Sequence, residues 1–242
     1  MGSTNADLKQ RAREGEPSGA VLVAEEQTAG RGRLGRSWTA PPRSGLAVSV
    51  LLRPDVPGAQ WGWLPLLVGL AAVRAVERTA SRASEGASAA SGPRVGLKWP
   101  NDVMLDDRKA GGVLVERVET TDGPAAVAGL GLNVSLAEDE LPVPQATSLQ
   151  LAGLAVDRDP LLRAYLRGLA LVVEAWETGR ALREEYQDAC VTLGRQVVVT
   201  MPGDRPAVTG EAVDVDEGGR LVVVGADGRP VTLSAGEVQH VR

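Results

Sequence analysis

Gln27-Thr28-Ala29-Gly30-Arg31-Gly32-Arg33-Leu34-Gly35-Arg36-Ser37-Trp38 interleaves three arginines with three glycines, directly after an apolar run at residues 20–24 that reads as a strand. No acidic residue lies between Glu26 and Asp55, in a chain whose formal net charge is −5. Glycine lets main-chain N–H groups approach a ligand closely, and arginine presents a planar fork of donors suited to carboxylate and phosphate. The stretch is therefore read as an anion-holding loop. Five of the 26 basic residues (Arg31, Arg33, Arg36, Arg43, Arg53) fall in the acid-free window, leaving 21 against 31 acids elsewhere. A nucleic-acid binder spreads basic charge over a whole face, so this balance predicts a small anion and no nucleic acid.

With 242 residues, 43% hydrophobic and 24% charged, the chain can bury one large core with a small appended domain. Cys190 is the single cysteine and excludes an internal disulfide framework. No uninterrupted apolar stretch reaches membrane-spanning length, and Met1 to Asp7 is polar rather than a signal peptide. The expected location is cytoplasmic, with no membrane partner.

Ahead of the loop, Ser3-Thr4-Asn5 precedes a short amphipathic helix at residues 6–14, and any of the three can cap it. Behind it come a strand at 45–53 and a helical apolar pattern at 60–84, in which Pro65 marks the true start. Residues 85–93 are rich in Ser, Ala and Gly and read as a surface loop. Strands at 95–99, 103–105, 112–118 and 125–132, separated by turn residues, predict a meander of hairpins. A long amphipathic helix at 159–176 continues into a second that reaches about Cys190. From Leu193 short strands at 196–201, 208–215, 221–224, 231–233 and 238–241 predict a small barrel. The fold class is α+β: a mixed, mostly antiparallel sheet packed with helices over residues 1–192, then a C-terminal β-barrel over 193–242.

Three further constellations sit at consecutive strand ends. Lys98-Trp99-Pro100-Asn101-Asp102 ends one strand at a proline and places an amide and a carboxylate at the turn, where an ordinary Asx-type turn would look the same. Lys109-Ala110-Gly111-Gly112 sets a lysine beside glycines that admit a ligand, or forms a plain hairpin shoulder. Gly129-Leu130-Gly131-Leu132-Asn133 puts two glycines on one face of a strand, for a ligand or for a bulge. His240, the lone histidine, is predicted to lie far from these motifs, and Cys190 is read as core rather than nucleophile. No cysteine or histidine cluster has metal-ligand spacing.

Residues 27–38, 98–102, 109–116 and 129–133, in that order behind Gly2-Ser3-Thr4-Asn5, closely resemble biotin protein ligases, also called holocarboxylase synthetases. GRGRLGR together with KWPND is highly specific, and the likeness covers essentially the whole chain, including the C-terminal barrel. The resemblance implies a class II synthetase-like catalytic domain that joins biotin to ATP as biotinyl-adenylate. The biotinyl group then passes to a lysine of a biotin carboxyl carrier domain of the acetyl-CoA carboxylase type.

By matched position, Ser3, Thr4, Asn5 and Gln27 would bind biotin's ureido ring and neighbouring atoms. Gly30, Arg31, Gly32 and Arg33 would close over biotin and the phosphate, with Gly111 and Gly112 as backbone walls. Arg36, Trp38, Lys98, Asn101, Gly131 and Asn133 would face the nucleotide. Catalysis would rest on Lys109, Arg31 and Arg33, with Asp102 orienting the acceptor lysine or receiving its proton. The biotin carboxylate is already ionised, so the first step needs no base. Magnesium is expected with ATP, held mostly by phosphate oxygens and with no protein ligand assigned.

Family members with a regulatory role carry an N-terminal helix-turn-helix domain, whereas this chain opens at Gly2-Ser3-Thr4-Asn5, so the expectation is ligase activity without operator binding. Short members also have a strand leading into that motif, where Met1 stands here. The rival readings are a lipoate–protein ligase and a non-enzymatic sensor or RNA-binding module; a homodimer is left open. The glycine–arginine loop is expected to be mobile when empty and to order over the adenylate.

Overall fold

Ser3 is the N-cap of helix α1 (Thr4–Arg13), its Oγ accepting from the Ala6 N–H at 3.4 Å. The helix therefore begins two residues earlier than periodicity suggests, and Thr4 and Asn5 belong to its first turn rather than to a linker. Its Leu8 and Ala12 pack with Leu51, Val118, Ala125 and Val127 in a small core of their own. The computed structural model describes residues 1–82, 92–203 and 205–241. Most of the predicted loop at 85–93 lies outside the described residues.

Strands β1 (Val21–Ala24) and β2 (Gly45–Leu52) flank the glycine–arginine loop. Helix α2 (Leu64–Thr79) has Pro65 in its first turn, as expected, and stops short of the predicted residue 84 because β3 (Ser81–Arg82) follows it. Next come β4 (Val95–Lys98), β5 (Asp102–Leu105), β6 (Arg108–Thr120) and β7 (Gly123–Asn133). A short β8 (Leu154–Ala155) pairs with β3, and helices α3 (Arg158–Glu177) and α4 (Arg183–Ala189) complete this part.

The main sheet has the order β1-β2-β7-β6-β5-β4, every neighbour antiparallel, so the predicted meander is real and β2 adds to its free edge. Residues 58–79 are apolar and long enough to cross a membrane, but 67% of that stretch is buried, with α2 packed against the sheet and α3. It is a core helix.

Strand β6 begins four residues earlier than predicted, which draws Lys109 and both following glycines into the ladder. The register with β5 shifts there: Val103 faces Gly111 but Met104 faces Lys109, leaving Ala110 as the extra residue. Such a bulge twists the strand and re-aims the side chains beside it.

The C-terminal strands are β9 (Gln196–Thr200), β10 (Val208–Val215), β11 (Leu221–Val224), β12 (Pro230–Leu233) and β13 (Glu237–His240). They form a five-stranded sheet of order β12-β11-β10-β9-β13, and the expected barrel does not close. Its two edge strands are four residues each, and β12 opens on Pro230, which has no N–H to donate. The two sheets share one apolar core, in which Leu97 and Trp99 meet Val197, Val199 and Val238. Trp99 Nε1 donates to Gly219 O at 3.1 Å and Trp63 Nε1 to Glu217 O at 2.6 Å, tying the two sheets by hydrogen bonds as well.

Candidate active site

Two adjoining cavities open where β2, β6 and β7 meet the helix α1 N-terminus and the glycine–arginine loop. The first holds about 470 Å³ of empty space and is lined by Ser3, Thr4, Asn5, Gln27, Arg31, Gly32, Trp38, Lys109, Gly112, Gly129 and Gly131, among others. The second, about 620 Å³, is lined by Gly32, Arg33, Arg36, Trp38, Lys98, Asn101, Asp102, Lys109, Gly236, Glu237 and Val238, among others. Gly32, Trp38 and Lys109 belong to both. The loop thus forms a shared wall, and the three constellations converge as the strand-end pattern suggests.

The first cavity is lined by Arg31 and Lys109 and, along one wall, by neutral, hydrogen-bonded side chains. Gln27 Oε1 accepts from Thr4 N at 2.8 Å and from Thr4 Oγ1 at 3.0 Å. Ser49, fully buried on β2, has its Oγ 2.7 Å from Thr4 Oγ1 and 2.6 Å from Asn5 Oδ1. Asn5 Nδ2 donates to Leu114 O at 3.1 Å and to Glu116 Oε2 at 2.9 Å, and the other oxygen of Glu116 accepts from Lys9 Nζ at 2.5 Å. Burial alone would push the Glu116 carboxyl up, but the bonds from Lys9 and Asn5 hold it below the usual range. The two strand glycines have steric work here. A Cβ on Gly129 would lie 2.2 Å from Asn5 Oδ1, and one on Gly131 would lie 2.5 Å from the Trp38 indole.

The second cavity is charged. Lys109 Nζ donates to Asp102 Oδ1 at 2.5 Å, and Arg33 Nη1 to Asn101 Oδ1 at 2.9 Å, while Asn101 Nδ2 holds Val113 O at 3.0 Å. Arg36 Nη2 reaches both carboxylate oxygens of Glu237 at 2.5 Å. Burial lowers the Lys98 ammonium pKa, opposed by Asp102 and reinforced by Lys109 and Arg36. Burial likewise lowers that of the Arg33 guanidinium. The hydrogen bond from Arg36 pulls the Glu237 carboxyl down. With Arg31 included, five cations line the two cavities against the carboxylates of Asp102 and Glu237, which suits an incoming polyanion.

Most of the expected site residues therefore meet in one place. Gly30, Gly111 and Asn133 line neither cavity. A Cβ on Gly30 would strike Trp38 O at 2.3 Å and one on Gly111 would strike Gly131 O at 2.7 Å, so both permit backbone packing. Asn133 is buried, its Nδ2 donating to Thr147 O at 3.0 Å. One of the five arginines of the acid-free window serves structure: Arg53 Nη1 donates to Thr120 Oγ1 at 2.9 Å. Cys190 is buried core, as expected, and burial raises its thiol pKa.

The C-terminal sheet is not remote from the site. Gly236, Glu237 and Val238 line the charged cavity, and burial, helped by the positive charge of Lys98, depresses the His240 pKa to about 4. Ser49, Glu116 and Glu237 escape a reading of the sequence, because each meets its partner across 44 to 201 residues with no local pattern to announce it.

The sequence pattern of the biotin/lipoate A/B protein ligase family matches residues 2–133, and that of the biotin protein ligase C-terminal domain matches residues 192–241. A biotin–[acetyl-CoA-carboxylase] ligase of Mycobacterium tuberculosis is 42% identical over 245 residues, covering 100% of this chain and 86% of its own. A bifunctional ligase/repressor of Bacillus spizizenii is 33% identical over 171 residues, covering 69% of this chain and 49% of its own, so the chain spans about half the length of that relative. Among solved structures, the biotin protein ligase of Aquifex aeolicus in complex with biotin and ATP superposes with a TM-score of 0.77 at 28% identity, covering 100% of this chain and 95% of its own. With its glycine–arginine loop, its KWPND turn and a relative this similar along its whole length, the chain belongs to the biotin/lipoate A/B protein ligase family.

Proposed function

We propose that the chain is an ATP-dependent biotin–protein ligase, which makes biotinyl-adenylate and transfers biotin to a lysine of a biotin carboxyl carrier domain. The observation that carries this is the junction at Lys109, where a cavity with a neutral, hydrogen-bonding wall adjoins a more heavily charged one. Thr4, Asn5 and Gln27, backed by the buried Ser49, offer amide and hydroxyl groups to a ligand that itself carries N–H and C=O groups, as biotin's ureido ring does. The dithiolane of lipoate would leave them unpaired, which favours biotin within the family.

In the first step two anions must meet, biotin's carboxylate and the α-phosphate of ATP. Lys109, at the seam of the cavities, stabilises charge on both, with Arg31 on the biotin side and Arg33 on the phosphate side. Asp102, 2.5 Å from Lys109 Nζ, holds that lysine in place. Once Lys109 engages the substrate oxygens, Asp102 is free to orient the acceptor lysine or take its proton in the second step. Arg36, Lys98 and Asn101 bind nucleotide, Trp38 packs at the seam, and residues 30–36 close over the intermediate. Leu34, 64% exposed and at φ 56, supports a loop that moves.

Among the described residues no group of three Asp, Glu, His or Cys side chains is placed to hold a metal. Asp102 and Glu237 are committed to Lys109 and Arg36. Magnesium would arrive on ATP and keep its phosphate and water ligands. We place the reaction in the cytoplasm, with the carrier domain as the macromolecular partner and no role for nucleic acid. ATP–pyrophosphate exchange tests the first step: exchange that depends on biotin and not on lipoate is expected, and exchange with lipoate alone would overturn the assignment.

A further inference from the structure

We infer that Glu116, which lines neither cavity, is a positioning residue that fixes which atoms of the neutral wall accept and which donate, acting through Asn5. A carboxylate can only accept, so the amide of Asn5 must turn Nδ2 toward Glu116 Oε2, at 2.9 Å, and toward Leu114 O, at 3.1 Å. Both Nδ2 protons are then used, and Oδ1 faces Ser49 as an acceptor.

At the other end of the wall, Thr4 N donates to Gln27 Oε1 at 2.8 Å and fixes that amide oxygen as an acceptor too. Between these two ends lie three oxygen–oxygen separations of hydrogen-bond length: Gln27 to Thr4 at 3.0 Å, Thr4 to Ser49 at 2.7 Å, and Ser49 to Asn5 at 2.6 Å. Only the two hydroxyl protons of Thr4 and Ser49 are available to fill them. One link is always without a proton, so the wall is one donor short and poised to accept from a ligand.

Lys9 decides what an amide in place of Glu116 would do. It sits one turn after Asn5 on α1 and engages Glu116 Oε1 at 2.5 Å, leaving the second oxygen to Asn5. In Glu116→Gln the single amide oxygen is claimed by Lys9, which cannot accept, and the new N–H₂ group faces Asn5. The Asn5 amide then has no fully satisfied orientation: unflipped, its Nδ2 meets the new N–H₂ group; flipped, its Oδ1 meets Leu114 O while its Nδ2 gives Ser49 the missing proton, so the wall loses its fixed acceptor. Gly129 leaves the space that Asn5 Oδ1 occupies, since a Cβ there would lie 2.2 Å from it.

This inference rests on the biotin ligase assignment, so the parent protein is first shown to catalyse biotin-dependent ATP–pyrophosphate exchange; failure there refutes the assignment, not the role of Glu116. Steady-state exchange is then measured for Glu116→Gln, Lys9→Met and the double variant, each checked for a parent-like circular dichroism spectrum. Glu116→Gln is expected to raise KM for biotin about tenfold or more, with kcat and KM for ATP within about twofold, as loss of a buried hydrogen bond allows. Lys9→Met keeps a carboxylate facing Asn5 and should leave KM for biotin within about twofold. The double variant frees the introduced amide's oxygen for Asn5 and should recover most of the lost affinity. An unchanged KM for biotin in Glu116→Gln, a parallel collapse of kcat and both KM values, or a double variant no better than the single would each overturn the proposal. Should Glu116→Gln fail to fold, a tenfold rise in KM for biotin in Lys9→Met would do so by itself.

Discussion

The two cavities solve the same problem, holding a polar ligand, with opposite materials. The neutral wall is built from buried groups that are already hydrogen-bonded to one another: Asn5 and Thr4 are nearly inaccessible and Ser49 fully so. The charged cavity is built from half-exposed ion pairs, Lys109 with Asp102 and Arg36 with Glu237, whose carboxylates stand where a polyphosphate's oxygens would compete. Buried hydrogen bonds are costly to leave unmade, so the neutral wall is stiff and selective. Exposed ion pairs are worth little and exchange partners readily, so the charged side accommodates a substrate that comes and goes.

Removing the cation at the seam should have the largest effect. Lys109→Met is expected to lower kcat for biotin-dependent exchange by about 10²–10³, the loss typical of one preorganised donor at a developing charge. A loss under tenfold would mean that the arginines, not Lys109, stabilise the transition state. The stiffness of the neutral wall is tested next by Gly129→Ala, whose Cβ would land 2.2 Å from Asn5 Oδ1. Overpacking of about 1–3 kcal/mol predicts a rise in KM for biotin of about tenfold with KM for ATP unchanged. Gly131→Ala should cost less, because its Cβ meets the Trp38 side chain rather than the hydrogen-bonded amide of Asn5.

On the charged side the sign reverses. Glu237→Gln removes a competitor for Arg36, so KM for ATP should fall, by less than about fivefold for so exposed a pair. A rise would show that Glu237 itself contacts nucleotide. Acid should separate the cavities as well. Glu116 is held below its ordinary 4.5, so its hydrogen bonds are complete above that value and are lost as the pH falls through the depressed one. Biotin affinity, followed by calorimetry, should be flat from about pH 6 to 8 and weaken only in the carboxylate range. Last, Tyr165 on α3 buries a hydroxyl with no hydrogen-bond partner among the described residues, and burial raises its pKa. Tyr165→Phe should leave activity unchanged and raise thermal stability by up to about 1 kcal/mol, read as a small increase in Tm.

The meander is legible in the sequence because breakers punctuate it: Pro100-Asn101-Asp102, Asp106-Asp107-Arg108 and Thr121-Asp122-Gly123 fall at the ends of β4–β7. Capping and binding look like competing readings of Ser3-Thr4-Asn5, yet the fold leaves room for both: Ser3 Oγ caps α1, and all three line the first cavity. The start of β6 is misplaced by pattern alone because Gly111 and Gly112 weaken a strand signal, whereas in the fold they let neighbouring backbone come close. Barrel closure cannot be read at all, since it depends on whether β12 and β13 pair and not on where they lie. Glu116, behind the neutral wall, and Glu237, in the lining of the charged cavity, are invisible for a related reason. A lone glutamate in a strand carries no periodic signal, and its meaning comes only from a partner brought near by folding.

The most direct test of the account is transfer itself. The protein is incubated with ATP, magnesium and a biotin carboxyl carrier domain, with biotin, lipoate or neither, and the carrier is weighed intact by mass spectrometry. The account predicts one added biotinyl group in the biotin arm and none in the others. A carrier left unmodified by biotin, or modified by lipoate, would contradict it.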